Sequence, residues 1–169
     1  MAQVVGCTLW CMMAPMSRAF VKDQEDGAAE ELPDRPISPH PNHVTAHGLA
    51  LIEAEIARLE REQAAAIGAQ DRPALAKTSR DLRYWTARRA SAAVIPPPKD
   101  TDTVHFGSTV TIARQDGRKQ TFRIVGEDEA DPAHGTLSHV SPLARALFGK
   151  EVGDVIEAGN SDAEIVKIA

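Results

Sequence analysis

The chain has 169 residues, enough for one ordinary domain or two small ones. A hydrophobic share of 43% with only 4% aromatics calls for small, aliphatic cores. The formal net charge of -5 argues against a protein that grips nucleic acid unaided, because phosphate binding needs a basic face, and a protein partner is the better expectation.

The opening stretch MAQVVGCTLWCMMAPM, Met1 to Met16, carries no charge. It lacks the basic start and small-residue cleavage site of a signal peptide, and it is too short to span a bilayer. Cys7 and Cys11 give no disulfide framework, and no partner ligands for a metal lie near them. A reducing, cytoplasmic setting is expected, and the opening stretch reads as an upstream extension with Met16 or thereabouts as the functional start. From there to Pro41 the chain is acidic and rich in proline, with Pro33, Pro36, Pro39 and Pro41 among Asp23, Glu25, Asp26, Glu30, Glu31 and Asp34. Such a composition buries too little apolar surface to fold, so residues 1–43 are expected to be a disordered extension.

Residues 44–95 predict an antiparallel coiled-coil hairpin. Leu49, Ile52, Ile56, Leu59 and Ile67 recur mostly in steps of three and four, with Gln63 filling the phase. Thr45 is a candidate N-cap and Gly68 a candidate left-handed stop. Asp71 can cap the second helix, with Pro73 in its first turn. That helix repeats the stripe through Leu75, Thr78, Leu82, Trp85 and Ala92 and stops at Pro96. Glutamates on the first helix (Glu53, Glu55, Glu60, Glu62) face basic residues on the second (Lys77, Arg80, Arg83, Arg88, Arg89), which favours antiparallel pairing. Taken alone, such a hairpin could equally be a dimerisation or scaffold element.

Residues 96–103 read as a proline-rich linker, and from 104 to 169 the period becomes two. Val104 and Phe106, then Val110 and Ile112, read as strand, and Asp116-Gly117 is a hairpin turn. Phe122, Ile124 and Val125 continue the sheet, and Leu137 with Val140 makes a short strand. Ser141-Pro142 caps a short helix from Leu143 to Phe148. Val155-Ile156 and Ile165 to Ile168 close the domain around a turn at Gly159-Asn160. The fold class is α+β: a helical hairpin followed by a small β domain with one short helix.

The chemistry-bearing clusters are weak. The run Glu127 to Asp131 reads better as a solvated acidic loop meeting a basic surface than as a metal site. His40, His43 and His47 straddle the tail and the helix start and make a poor metal set. His105, His134 and His139 read as sheet-edge residues. No Ser-His-Asp or Cys-His arrangement and no phosphate-binding glycine loop is present, so no enzyme activity, cofactor or metal is expected.

Four segments carry a family resemblance: VTAHGLALIEAEI (Val44 to Ile56), HFGSTVTI (His105 to Ile112), RIVGEDEAD (Arg123 to Asp131) and SPLARALFGKEVGD (Ser141 to Asp154). Together they resemble the GreA/GreB family of transcription elongation factors. Arg83-Tyr84-Trp85, continuing to Val94-Ile95, is similar to the end of the second helix in GreB-type members. The resemblance implies an FKBP-like C-terminal domain that docks on RNA polymerase beside the secondary channel, and a coiled coil pointing toward the active centre. A prolyl isomerase reading of that domain fails for lack of an aromatic-lined pocket, since Phe106, Phe122 and Phe148 are mostly needed for the core.

Cleavage-stimulating members carry an acidic pair at the tip, in a motif like G-D-x-x-E-N-A-x-Y, held to help the polymerase place a second magnesium ion and its attacking water. Here the tip reads IGAQDRPALAK, Ile67 to Lys77, with Asp71 as the sole carboxylate. The resemblance therefore implies a non-enzymatic elongation regulator without cleavage stimulation. Its polymerase-binding residues would be Ser138, His139, Val140, Ser141, Pro142 and Arg145, and its tip Gln70, Asp71 and Arg72. An acidic residue often stands in GreB-like relatives where Val140 stands here. The implied partner is RNA polymerase at the secondary-channel rim, with indirect contact to the transcribing DNA/RNA complex, no membrane and a monomeric state. Two rivals remain: a cleavage factor that uses Asp71, and an Rnk-like regulator of nucleoside diphosphate kinase.

Overall fold

A computed structural model describes residues 32–159 and 161–169. Cys7, Cys11 and the charge-free start lie outside the described residues. In chain order the elements are β1 (His43–Val44), α1 (Ala46–Ala69), α2 (Arg72–Ser91) and β2 (Ala93–Val94), which form the hairpin. The domain that follows holds β3 (Thr109–Arg114), β4 (Lys119–Val125), β5 (Thr136–Ser138), α3 (Pro142–Leu147), β6 (Val155–Glu157) and β7 (Asp162–Ile168). A 3-10 turn, Pro132–His134, precedes β5.

Thr45 caps α1 by accepting a hydrogen bond from the Gly48 N–H at 3.0 Å. The buried seam of α1 runs Ile52, Leu59, Ala66, in steps of seven, as an antiparallel helix pair requires. Ile67, expected in that seam, is 60% exposed, one position out of phase with Ala66. Gly68 does not end the helix. α1 runs on through Ala69, and the left-handed residue is Gln70, at φ 54°. The Gln70 N–H reaches the Ile67 carbonyl and the Asp71 N–H the Ala66 carbonyl, closing two of the orphan acceptors of the last turn. Asp71 then caps α2, with Pro73 in the first turn as expected.

Across the seam, Gln63 donates to Ser79 at 3.0 Å, and Arg89 pairs with Glu53 at 3.1 Å. α2 ends at Ser91, so Val94 and Ile95 are not helical. β2 instead pairs in parallel with β1, His43 opposite Ala93 and Val44 opposite Val94, tying the two legs of the hairpin together at its base.

The β domain is a five-stranded sheet in the order β5-β4-β3-β7-β6. β3 and β4 form the hairpin around Gly117, whose φ of 80° is the turn conformation that favours glycine. Val110, Ile112, Ile124 and Ile165 point into one core with Leu147 of α3 and Val104. Each such side chain contributes about 1.5–3 kcal/mol of burial. Val104 is fully buried but, like Phe106, lies outside the strands: the inward face was right, the ladder was not. Gly159 has the positive φ of the expected turn, and Asn160 lies outside the described residues.

Residues 32–43 depart from the expected disorder. Asn42 is 6% exposed, with its amide nitrogen donating to the Arg88 carbonyl at 2.7 Å. Composition gave no apolar pattern here because the contacts are polar and long in sequence.

Candidate functional site

The expected docking segment is one continuous strand-turn-helix. Ser138 ends β5, and its carbonyl accepts from the Ser141 N–H at 2.9 Å. The His139 N–H donates to the Val125 carbonyl at 2.9 Å, fixing the turn to β4. The Ser141 hydroxyl accepts from the Ala144 N–H at 3.2 Å, and Pro142 opens α3 where its missing N–H costs nothing. Ala144 and Leu147 are buried, so α3 is pinned by its inner face while Pro142 and Arg145 stay exposed. Val140 is half-buried beside them.

His139 is not an ordinary edge residue. Its ring stacks on His43 at 5.5 Å and meets Phe106 edge-on at 5.6 Å, and neither ring nitrogen finds a hydrogen-bond partner. Burial, then the neighbouring His43, holds its pKa below the usual histidine value. His43, weighed as a metal ligand with His40 and His47, is thus engaged in ring packing. Among the described residues no group of three or more His, Cys, Asp or Glu is placed to hold a metal ion.

The tip is simpler. Gln70 and Asp71 form the link between the helices, and Arg72 begins α2. The Asp71 Oδ1 accepts from the Ala74 N–H at 3.0 Å. No other carboxylate occurs between Gln63 and Arg80. Ala65, Ala66, Ala69 and Ala74 leave a groove of about 440 Å³ between the arms, edged by Glu62, Asp71 and Lys77.

Sequence reasoning missed the joint between hairpin and β domain. The acidic run is not a solvated loop. Asp128 accepts from Arg88 Nε at 2.5 Å and from the Tyr84 hydroxyl at 2.8 Å, and Glu127 pairs with Arg88 at 3.4 Å. Arg88, read from sequence as an exposed flank, is 1% exposed. Glu129 reaches the other helix: its carboxylate accepts from the Thr45 N–H at 2.9 Å, the Thr45 hydroxyl at 2.6 Å and the Gly126 N–H at 2.9 Å. Burial and the Asp128 carboxylate push the Tyr84 hydroxyl up, which keeps it a donor.

Two glycines make room for this. A Cβ on Gly48 would sit 2.5 Å from the Glu129 carboxylate, and one on Gly126 would sit 2.6 Å from the His43 carbonyl. No sequence signal announced this joint: the stripe from Leu75 through Trp85 to Ala92 passes through position 89 and leaves Arg88 out of phase.

The fold and site define a helical hairpin locked onto a small β domain. Residues 98–169 match the family described as transcription elongation factor, GreA/GreB, C-term. Transcription elongation factor GreB of Neisseria meningitidis serogroup B is 41% identical over 95 residues, covering 53% of this chain and 58% of that protein. Transcription elongation factor GreA of Hyphomonas neptunium is 53% identical over 70 residues, covering 38% of this chain and 45% of that protein. The chain therefore spans about half the length of the curated relatives it matches. Among solved structures, a GreA/GreB factor from Nitrosomonas europaea covers 76% of this chain and 98% of its own at 21% identity, with a TM-score of 0.39. GreA factor homolog 1 (Gfh1) of Thermus thermophilus covers 77% and 99% at 20% identity, with a TM-score of 0.38. The C-terminal part of the chain, residues 98–169, carries the GreA/GreB C-terminal domain. Among its described residues, no helix is long and apolar enough to cross a membrane.

Proposed function

We propose that this chain is a non-enzymatic regulator of transcription elongation that binds RNA polymerase at the rim of the secondary channel and does not stimulate transcript cleavage. Affinity comes from the β domain, through the segment Ser138 to Pro142 and the exposed guanidinium of Arg145, a planar fork suited to a carboxylate on the partner. The hairpin enters the channel mouth. Its arms of 24 and 20 residues reach roughly 36 and 30 Å.

The observation that carries the absence of cleavage is the tip. Placing a second magnesium ion calls for carboxylate oxygens, and two-metal chemistry stabilises the attacking and leaving oxygens together. Here one carboxylate is present, and one of its oxygens already accepts a helix N–H. Binding to core polymerase, followed by a stalled elongation complex with labelled RNA, tests the reading. The expected result is binding, no cleavage by this protein alone, and slower cleavage when a cleavage-competent Gre factor is present. Strong cleavage that disappears in Asp71→Ala overturns it in favour of a cleavage factor. Neither binding nor competition moves the partner away from polymerase.

A further inference from the structure

The segment before β1 runs along α2 and the acidic corner to one edge of the face assigned above to docking. Asp34 pairs with Arg83 at 2.7 Å, and the Arg35 guanidinium lies 3.9 Å from the Tyr84 ring centre and 3.8 Å from Asp81. Further along, the Ser38 hydroxyl donates to Glu127 at 2.9 Å, His40 meets the Arg145 guanidinium at 3.4 Å, and His43 stacks on His139. Contacts from four residues of this segment thus lead from the outer face of α2, over the acidic corner, to Arg145, and His43 of β1 continues the line to His139.

We propose that residues 34–40 are a removable cover on the Arg145 end of that face, where His40 engages the otherwise exposed guanidinium, so that docking through Arg145 requires the segment to lift. The inference rests on the docking reading. The contacts divide in a way that fits a removable cover. Those of Arg88, Asp128 and Glu129 are partly buried and multiply hydrogen-bonded. Those of Asp34 and His40 are single and exposed, and Arg35 reaches Asp81 and the Tyr84 ring from an exposed position; each such contact is weak and reversible. A cation over an aromatic face adds a similar modest amount. A few of these together favour the closed form by about tenfold, and apparent affinity for a partner falls by the fraction of open molecules.

The test uses the full chain with Arg35→Ala, a residue outside the docking face, in a Trp10→Phe background that leaves Trp85 as the sole tryptophan. Trp85 lies 5.9 Å from the Arg35 guanidinium, so iodide quenching reports whether the segment has lifted. The expected result is stronger quenching together with affinity for core RNA polymerase about three- to tenfold tighter. Stronger quenching with unchanged or weaker affinity overturns the cover. It leaves the docking reading intact if Arg145→Glu still weakens binding. Unchanged quenching overturns the packed segment itself. Arg145→Glu without effect in either background overturns the docking reading, and the cover falls with it.

Discussion

At its base the hairpin is tied to the β domain by a buried arginine, three carboxylates, a capping threonine and two glycines that leave no room for a side chain. At its tip it closes with one exposed aspartate over an alanine-lined groove. The contrast says where this sequence invests its specificity. A base locked by directional polar contacts fixes the angle at which the arms leave the domain, whereas a tip with a single capping carboxylate supplies length and little chemistry. Each prediction below can break that contrast or sharpen it.

The largest effect belongs to Arg88. Arg88→Ala strands Asp128 and Glu127 in a partly buried corner, and breaking a buried ion pair by removing one partner costs about 3–5 kcal/mol. Arg89→Ala, one residue on, loses only an exposed pair with Glu53, worth under ~1 kcal/mol. Thermal unfolding of both variants measures the gap. Equal losses would show that the base is no better tied than the surface.

Next come the glycines. Gly126→Ala meets a backbone carbonyl at 2.6 Å, and Gly48→Ala meets the end of the Glu129 side chain at 2.5 Å. A carboxylate can swing aside and a backbone cannot. Gly126→Ala is expected to cost about 1–3 kcal/mol, in the range of overpacked cores, and Gly48→Ala less. Denaturant midpoints rank the two, and the reverse ranking would place the constraint on Glu129 instead.

The division between legible and illegible follows the range of the interactions. α1 and α2, their short link and the Ser141-capped α3 were readable because caps and seven-residue steps are local signals. The two-residue strands β1 and β2 offer too short a pattern for period two to register. The joint escaped because Arg88 and Asp128 are 40 positions apart, and Thr45 and Glu129 are 84 apart. Nothing in EDEAD by itself says that a distant helix offers it a guanidinium. Of the expected docking residues, Ser141 and Pro142 have the local roles the sequence assigned, while His139 proved to be packed against His43, a partner from a segment read as structureless.

That packing makes the base sensitive to acid. His139 has its pKa depressed, so folding favours the neutral ring. The stability it contributes is fully present above the unfolded value, near 6.5, and is lost as pH falls from there through the lower folded value. The groups facing it are His43, which adds to the shift, and Glu127, which opposes it. Melting temperature is expected to fall from about pH 8 to about pH 5, and His139→Phe should reduce that fall. An identical pH profile in the variant would remove His139 as the cause.

The smallest effect is expected at the tip. Asp71→Ala removes the cap of α2, which costs about 0.5–2 kcal/mol in general and sits at the low end where water can replace the lost acceptor. The same substitution tests function, because Asp71 is the only carboxylate the tip could offer to a metal ion. If the tip supplies reach alone, Asp71→Ala leaves polymerase binding and competition with a cleavage-competent Gre factor unchanged. Asp71→Asn, which keeps a capping oxygen and removes the charge, separates the two roles. Recovery of helix stability with no change in transcript cleavage is the expected pattern. A cleavage rate that falls in both variants, while Asp71→Asn keeps its stability, would mean that the charge itself acts at the polymerase active centre, and the contrast between a locked base and a passive tip would be lost.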